Sequence, residues 1–403
     1  MSSYLRTRPR LAIMGTRGVP AAHGGFETFA ARLAPYLATS GWDVSVYCQE
    51  EKSPADARGG RWQSAWEGVR RIHIAVGADT PVSSIRYDLA CIADVVKHPV
   101  DVVLLLGYNT AVFVARLRVA GIPVVINMDG IEWIRQKWGL LAKAWLNMNE
   151  LAGCLLARHL IADHPQIERH LSRRARREKI TVIPYGADLL ESQNDDEILA
   201  RFGVARGRLI TLIARPEPEN SILEIVRAFS RKPRGVKMLV LGRYSPELVR
   251  FHAAVFAAAG EEVVFAGPVY EKSAVGALRR NSMFYMHGHQ VGGCNPSLVE
   301  AMGAGNAVIA HDNHFNRWVA QDGALYFADE SACEAAIEQL LGDEEQCRQR
   351  GALNRMRARA VFNWSDILQS YDDLLVQVAY EGATEVESDW GRRPYWQLDV
   401  DTS

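Results

Sequence analysis

Residues 287–305 combine residue types that could bind a phosphorylated ligand. They read HGHQVGGCNPSLVEAMGAG, a polar, glycine-rich loop after a predicted strand that leads into a helix beginning at Asn295, Pro296 and Ser297. Asn is a favoured N-cap and Pro suits the first helical turn, so this helix start is well marked. Backbone N–H groups at such a start attract anions. Glu300 lies one turn further on, where it could bind a sugar hydroxyl. The stretch therefore predicts a nucleotide-diphosphate site.

Histidines lie on both sides of this loop. His287 and His289 flank its first glycine, and His311, Asp312 and His314 follow the next predicted strand. Zinc sites usually declare three or four ligands, and no third ligand stands here at a fixed spacing. We therefore interpret the histidines as neutral side chains that line a polar cleft, with a metal site as the alternative. We expect no metal requirement.

Another glycine-rich loop follows the first predicted strand. Residues 15–27 read GTRGVPAAHGGFE, so strand, loop and helix come in the order that a phosphate site needs. The glycines are too widely spaced for GxGxxG, and there is no P-loop lysine. Gly24 and Gly25 could let a helix start approach a diphosphate closely, although glycines often simply serve turns. Glu27 could merely complement the helix dipole.

Arg215 directly follows the predicted strand 209–214. A guanidinium at a carboxyl strand end could neutralise a leaving diphosphate. The alternative is a surface salt bridge with Glu217 or Glu219. Asn220 is expected at the N-cap or in the first turn of the next helix.

A carboxylate also follows the predicted strand 123–128. Asp129 begins the sequence DGIEW, which contains Glu132 as well. Asp129 could position or deprotonate an acceptor hydroxyl at the rim of the first domain. Helix capping is the alternative, since Asp is a favoured cap.

Length and composition predict two domains. The 403 residues are many for one core, and 48% hydrophobic and 23% charged residues are ordinary values. A formal net charge of −1 gives no field that favours nucleic acid. Six scattered cysteines indicate reduced thiols, and no signal peptide or membrane-spanning run is visible. We expect a cytoplasmic protein, at most peripheral to the inner face of a membrane.

Basic residues concentrate in one short segment. Residues 169–179 carry five arginines and a lysine, whereas the tail after residue 381 is acidic and aromatic. Such a run is usually a solvated helix face. The alternative is a contact with anionic lipid or a lipid-linked phosphate.

Hydrophobic periodicity predicts an α/β fold with two series of strands. The predicted strands are 11–15, 43–48, 71–76, 101–107, 123–128, 159–163 and 179–184, then 209–214, 237–242, 263–269, 283–288 and 307–312. Alternation of apolar strands with helices means parallel sheets covered by helices. We predict doubly wound domains at 1–188 and 207–363 that face each other across a cleft. A helix at 364–383 and an irregular tail at 384–403 follow.

These features together resemble retaining glycosyltransferases of family 4, which have the GT-B fold, and most of all their bacterial capsule and O-antigen branch with rhamnosyltransferases. The matching sequences are GTRGVP at 15–20, GGFET at 24–28, DGIEW at 129–133, IPYGAD at 183–188, AR with PEN at 214–220, and the block 287–316. The resemblance covers both domains. It implies a final helix that crosses back onto the first domain.

The resemblance also implies roles for individual residues. Glu300 would bind the donor ribose, and Arg215 with Asn220 would contact the phosphates. The diphosphate and sugar would lie near two sets of residues: Gly24, Gly25, Gly293, Asn295, Pro296 and Ser297. Asp129 takes the place of the cleft histidine of many relatives. The expected reaction retains the anomeric configuration and needs no metal. The donor would be deoxythymidine-diphosphate rhamnose. The basic segment 169–179 in turn leads us to expect a polyprenyl-diphosphate-linked sugar at the inner membrane face as the acceptor.

Two positions depart from the wider family. The first Glu of its E-x7-E sequence is Gly292 here, and the usual Lys is Asn220. The alternatives are a sugar-nucleotide epimerase of the same fold and a non-catalytic nucleotide-sugar-binding subunit. A Rossmann dehydrogenase is disfavoured because GxGxxG is missing.

Overall fold

Two parallel sheets, one in each half of the chain, organise this computed structural model, which describes residues 8–20, 24–55, 57–78 and 80–380. They belong to two units of the chain. The first unit comprises the described residues up to Ile134, Trp138–Ile183 and the last helix from Ser365. The second comprises Arg135–Lys137 and Pro184–Trp364. The first unit thus ends slightly before the predicted boundary at 188.

The first sheet has eight strands in the order β3-β4-β2-β1-β5-β6-β7-β8. The strands are β1 Arg10–Met14, β2 Asp43–Glu50, β3 Arg61–Trp66, β4 Val69–Ala75, β5 Val102–Leu106, β6 Val124–Asn127, β7 His159–Ala162 and β8 Ile180–Val182. The helices of this unit are α1 Gly25–Thr39, α2 Pro81–Lys97, α3 Ala115–Val119, α4 Leu140–Leu156, α5 Pro165–Leu171 and α14 Trp364–Tyr380. The central strands β5 and β6 are buried along their whole length because helices cover both faces.

One strand of this sheet was not predicted. β3 pairs antiparallel with β4, so the two form a hairpin. Glu67 and Gly68 between them both have positive φ, at 46° and 78°, which suits a two-residue hairpin turn. The other predicted strands of this half are confirmed, with bounds that differ by a few residues.

The second sheet is entirely parallel, in the order β11-β10-β9-β12-β13-β14. Its strands are β9 Leu209–Ile213, β10 Lys237–Leu241, β11 Val263–Gly267, β12 Ser282–His287, β13 Ala307–His311 and β14 Ala324–Phe327. Its helices are α6 Asp196–Arg201, α7 Ile222–Ser230, α8 Arg250–Ala258, α9 Lys272–Arg280, α10 Pro296–Gly303, α11 His314–Ala320, α12 Glu330–Gly342 and α13 Glu344–Val361. β14 was not predicted. The fold-class prediction of two Rossmann-like domains is confirmed.

The last helix returns the chain to the first unit. Tyr371 of α14 is buried there, packs on the ring of Phe29 at 4.8 Å and accepts a hydrogen bond from Asn127 at 2.7 Å. The Trp42 indole donates to Asp372 at 2.7 Å. The predicted tail 384–403 lies outside the described residues.

Candidate active site

In the second unit, the candidate residues gather where the strand order reverses. β9 and β12 are neighbours in the sheet, but the chain leaves β9 toward β10 on one side and β12 toward β13 on the other. The chain therefore leaves these two strands in opposite directions, and ligands of open α/β sheets bind at such a point. Arg215 follows β9, and the glycine-rich loop follows β12.

The loop after β9 is held by its own side chains. Asn220 is buried, and its side-chain amide donates to the Arg215 carbonyl at 2.8 Å, so this side chain stabilises the loop. The N-cap of α7 is Ser221, with φ 47°, and not Asn220 as expected. The Arg215 side chain is exposed, and among the described residues it pairs with neither Glu217 nor Glu219. Its guanidinium can thus meet an anion.

The buried carboxylate of Glu219 has another partner. Arg135 donates to Glu219 Oε1 at 3.0 Å and the Gln136 N–H donates to Oε2 at 3.3 Å. Both side chains are shielded, with 3% and 14% exposure for Glu219 and Arg135. The sequence alone does not predict this ion pair, because Arg135 and Glu219 are 84 positions apart in the chain.

The loops after β9 and β12 are in direct contact. A Cβ on Gly288 would lie 2.0 Å from the Asn220 carbonyl oxygen, so only glycine allows this approach. Gln290 makes two hydrogen bonds to the loop after β9. Its backbone N–H donates to the Glu219 carbonyl at 3.0 Å, and its side-chain amide donates to Ser221 Oγ at 2.9 Å. The two loops therefore form one rigid platform.

Helix α10 begins as the sequence predicts. Asn295 is the N-cap, its side chain accepts from the Ser297 N–H at 3.0 Å, and Pro296 occupies the first turn. Gly293, beside them, is partly buried. Gly292 has φ 139°, a conformation that glutamate rarely adopts. A glutamate would therefore be strained at this position, where the wider family carries its first Glu.

Glu300 is ion-paired from inside the unit. Its Oε2 lies 2.6 Å from Nη1 of Arg279, whose side chain is 7% exposed, while that of Glu300 is 32% exposed. No hydrogen bond from another described residue reaches Glu300 Oε1, so this oxygen can accept from a ligand hydroxyl. Arg279 at the end of α9 was not predicted, because only the fold brings it to α10.

His287 is the last residue of β12 and is buried, and His289 follows it in the loop and is partly buried. Burial lowers the pKa of His287 to about 3, and burial together with the nearby cations Arg215 and Arg135 holds the pKa of His289 far below its usual value, so both rings are uncharged. The two rings stack at 4.5 Å. This agrees with the interpretation as neutral side chains.

Two asparagines of the block 287–316 fix this loop to its neighbour. The side-chain amides of Asn313 and Asn316 donate to the His289 carbonyl at 3.0 and 2.9 Å. Asn313 also caps α11. Their partners lie 24 and 27 residues away, beyond what local sequence indicates. Within the described ranges, no three His, Cys, Asp or Glu side chains are grouped to hold a metal ion.

In the first unit, Asp129 lies just after the carboxyl end of β6. Its φ is 50°, a left-handed conformation that costs a non-glycine residue free energy and often marks functional sites. Its N–H donates to Asn127 Oδ1 at 2.9 Å, and Asn127 in turn donates to Tyr371 of α14. The structure gives Asp129 no role as a helix cap.

The rest of the DGIEW sequence rests on a buried carboxylate. Glu150 of α4 is 1% exposed and accepts from the Trp133 indole at 2.8 Å. His170 and Arg174 bind its other oxygen at 2.6 and 3.0 Å. The Glu132 N–H donates to the Tyr108 hydroxyl at 2.8 Å. Glu132 thus lies on a braced turn.

The glycine-rich loop of the first unit is tightly folded. A Cβ on Gly15, at φ 81°, would lie 2.2 Å from the Leu106 carbonyl oxygen. Gly24 precedes α1 and Gly25 begins it, both exposed. Glu27 is buried and accepts from the Arg17 N–H at 3.1 Å, so it braces the loop as well as complementing the helix dipole.

This loop borders a pocket of about 470 Å³ within the first unit. Two of its lining residues, Arg71 and His73, share one face of β4 and were not predicted. Arg71 donates to the Val19 carbonyl at 3.2 Å, and His73 contacts Glu50 at 2.8 Å. The i, i+2 spacing of Arg71 and His73 could have indicated that they line the same pocket, since alternate residues of a strand share a face. The pocket offers guanidinium and carboxylate groups to a polar ligand.

The basic residues of the segment 169–179 fall into two groups, those that bind other parts of the first unit and those that are exposed. Arg174 binds Glu150, and the Lys179 ammonium donates to the Cys154 carbonyl at 2.8 Å. Four arginines remain exposed: Arg169, Arg173, Arg176 and Arg177. The segment is therefore only partly a solvated face.

Two family models match the chain in these two units. Residues 9–188 match the model described as "Domain of unknown function (DUF1972)", and residues 207–343 match that of "Glycosyl transferases group 1". No curated protein shows significant sequence similarity.

Solved structures resemble almost the whole chain. Sucrose-phosphate synthase from Thermosynechococcus elongatus has a TM-score of 0.76 at 20% identity, covering 92% of this chain and 99% of its own. HepE from Anabaena, in complex with UDP, gives 0.70 at 14%, covering 92% and 100%. Trehalose 6-phosphate synthase from Burkholderia multivorans gives 0.69 at 12%, covering 96% and 100%.

The chain is a glycosyltransferase with the GT-B fold. The activity follows from the matched glycosyl transferases group 1 model, and the fold from the solved structures. In this glycosyltransferase, Arg215, Glu300 and the start of α10 lie around the strand-order reversal of the second unit. Asp129, Gly24 and Gly25 belong to the first.

Proposed function

We propose that this glycosyltransferase moves a sugar from a nucleoside-diphosphate donor to a saccharide acceptor. The observation that carries the proposal is the pair formed by Glu300 and Arg279, because it leaves a carboxylate oxygen available at the strand-order reversal. A ribose hydroxyl is the partner such a carboxylate would take in a domain of this family. The bound UDP of HepE supports a pyrimidine nucleotide.

The donor diphosphate would meet positive charge from two sources. Arg215 carries an exposed guanidinium beside the loop after β12. The start of α10 adds the positive end of a helix dipole. Gly293, Asn295, Pro296 and Ser297 would contact the diphosphate and sugar, with Gly24 and Gly25 near the same group. Asn220 contributes by fixing the Arg215 loop, as its hydrogen bond to the Arg215 carbonyl supports.

The reaction would retain the anomeric configuration through front-side attack. The acceptor oxygen bonds to the anomeric carbon while the bond from that carbon to the phosphate oxygen breaks. The acceptor proton passes to the leaving phosphate oxygen, and a nucleoside diphosphate departs. Asp129 would position the acceptor hydroxyl, and Arg215 would stabilise the leaving charge without a metal.

We further propose rhamnose as the first donor sugar to test, a polyprenyl-diphosphate-linked saccharide as acceptor, and a cytoplasmic role in bacterial surface polysaccharide synthesis. The donor and the pathway rest on the family resemblance of the sequences at 15–28, 129–133 and 287–316, and the acceptor on the basic segment 169–179. Arg71 on the wall of the open pocket could contact an acidic group of the acceptor, and the carboxylates of the same pocket could accept from its hydroxyls. Among the described residues, no helix is long and apolar enough to cross a bilayer.

A donor panel tests the proposal. The purified protein is incubated with deoxythymidine-diphosphate rhamnose, UDP-glucose and related donors together with lipid-linked glucose or N-acetylglucosamine, and products are identified by mass spectrometry. Transfer with release of a nucleoside diphosphate is expected, and NMR of the product reports the anomeric configuration. Loss of transfer in Glu300→Ala and Arg215→Ala would support the site, and turnover like that of the wild type in both would refute it.

Two controls separate the other interpretations. A donor altered in the absence of any acceptor would identify an epimerase. Donor binding without transfer to any acceptor would identify a binding subunit.

A further inference from the structure

The outer face of α4 is apolar although it lies at the surface. Leu141, Met148, Leu151 and Leu155 are 89%, 45%, 44% and 60% exposed. Together with exposed Ala144 they recur every three or four residues and so form one stripe, which we call the α4 stripe. At 1.5 Å per residue the stripe is about 21 Å long. A contiguous apolar surface of this kind marks an interaction site.

The orientation of α4 is fixed by its opposite face. Asn149 accepts from the Val112 N–H at 3.0 Å, and Glu150 holds Trp133. Gly153 faces Ala111, and a Cβ at this glycine would lie 3.5 Å from the alanine methyl group, an ordinary packing distance. Since these contacts prevent rotation of the helix, the α4 stripe stays exposed.

Basic side chains surround the α4 stripe, and acidic ones are nearly absent. Residues 111–123 and 140–158 contain one acidic residue, the buried Glu150, and four basic ones: Arg116, Arg118, Lys143 and Arg158. Arg118 donates to the Leu155 carbonyl at 3.1 Å and Lys179 to that of Cys154 at 2.8 Å. These cations therefore lie directly beside the end of the stripe.

The arginine-rich segment 169–179 adjoins the same helix. Arg174 donates to Asn147 of α4 at 3.4 Å. Burial lowers the pKa of Lys179, and the charges of Arg118 and Arg158 lower it further, so these three cations are close together. Positive charge thus borders the α4 stripe from α3 on one hand and from this segment on the other.

We propose that the α4 stripe and the basic residues around it dock the protein on an anionic lipid surface. The leucines and Met148 would enter the boundary between headgroups and acyl chains, and the arginines would contact lipid phosphates. A second copy of the chain is the poorer occupant, because pairing two such faces would bring their cations together. The proposal depends on neither the donor nor the acceptor.

Co-sedimentation of the full chain with vesicles tests this proposal. We expect binding to vesicles of phosphatidylcholine and phosphatidylglycerol in equal parts, weaker binding to phosphatidylcholine alone, and weakening by salt. Leu141→Gln with Leu155→Gln should lower the partition coefficient at least about tenfold. Arg116→Gln with Arg173→Gln should lower it about fivefold for each charge removed. Leu248→Gln, at a leucine 81% exposed in the second unit, is the matched control and should change nothing.

Circular dichroism and thermal unfolding check that the variants fold. Unchanged vesicle binding in the folded Leu141→Gln, Leu155→Gln variant overturns the proposal. So does sedimentation showing that these substitutions dissociate a dimer that does not bind vesicles. Because vesicles contain no substrate, none of these results depends on transferase activity.

Discussion

The carboxyl strand ends of the two units differ in how their loops are built. In the second unit, Gly288 touches the Asn220 carbonyl, Gln290 bonds to the neighbouring loop, and Asn313 and Asn316 clamp His289. In the first unit, the glycine-rich loop borders a pocket of about 470 Å³ with Arg71 on its wall. One set of loops forms a platform and the other leaves a space.

This difference suits two ligands of different kinds. A nucleotide is the same chemical group in every cycle, so a preorganised platform binds it without the cost of ordering the loops. An acceptor saccharide varies in shape, and a polar pocket can accommodate it. Under the proposed function, the platform of the second unit would bind the donor and the pocket of the first unit would bind the acceptor, and the following substitutions test this.

The largest effect is expected at Gly288. Gly288→Ala places a Cβ about where the Asn220 carbonyl oxygen lies, 2.0 Å away, and should destabilise the protein by about 3 kcal/mol or more. Gly292→Ala is the matched control, since its Cβ would meet nothing within 4 Å. Its positive φ of 139° should itself cost about 1 kcal/mol, which is less than the clash at Gly288. Urea unfolding measures both, and equal losses would refute a rigid platform.

A somewhat smaller effect is expected at Glu300. Glu300→Ala should lower kcat/KM for the donor about a hundredfold, because a charged hydrogen bond to the ribose is lost. Glu334→Ala removes another carboxylate of the second unit that lies 2.6 Å from an arginine, Arg231, and should leave kcat/KM unchanged. Steady-state kinetics with varied donor measures this. Equal losses in both variants would contradict a specific role for Glu300.

The second unit should lose stability in acid through His287. Its pKa is about 3 when folded and about 6.5 when unfolded, so between these values the unfolded chain binds more protons. Stability should therefore fall as pH drops below about 6.5, by up to about 1.4 kcal/mol per pH unit for this residue. His287→Phe should flatten the dependence. Urea unfolding from pH 4 to 8 measures it, and an unchanged slope would contradict a buried neutral imidazole.

The first unit contains a group with the opposite pH dependence. Burial raises the pKa of Asp88 to about 6, although Thr110 donates to it at 2.7 Å. The folded state then binds more protons between about pH 4 and 6, so stability falls as pH rises through this range. Asp88→Asn should raise the free energy of unfolding at pH 8 by about 1–2 kcal/mol and leave it unchanged near pH 4. No gain at pH 8 would contradict the raised pKa.

The smallest effect concerns the pocket of the first unit. Arg71→Met should raise the KM for an acidic acceptor about tenfold and leave the KM for the donor unchanged, since one charge contact is lost. Arg70→Met is the matched control, because Arg70 points away from the pocket and pairs with Asp43 at 2.9 Å. Initial rates at varied acceptor concentration distinguish the two. A change in the KM for the donor would contradict the proposal that the first unit binds the acceptor and the second unit the donor.

Most strands were predictable because buried parallel strands read as continuous apolar runs. β3 was missed because its sequence RWQSAW neither alternates strictly nor forms a continuous apolar run, and the strand depends on pairing with β4. β14 has only four residues, ALYF, too few for a periodicity to be visible. The sequence thus predicts strands that are continuous apolar runs and misses strands that form only by pairing with a neighbouring strand.

The candidate site divides in the same way. Arg215, Glu300 and Asp129 could be predicted as candidates because each follows a strand or lies near the start of a helix, positions that local sequence reveals. Arg279 and the pairing of Arg135 with Glu219 were missed, because tertiary packing alone brings these partners together. The left-handed φ of Asp129 was likewise hidden, since no sequence rule asks for it.

Because α14 packs on the first unit, the two units cannot be completed in the order in which they are synthesised. Asn127 positions the Asp129 N–H and is itself hydrogen-bonded to Tyr371, almost at the end of the described chain. During synthesis, the first unit must therefore wait for the whole second unit before this contact can form. A chain released from the ribosome before Tyr371 would lack this support for the Asp129 turn, so the first unit is completed last although it is encoded first.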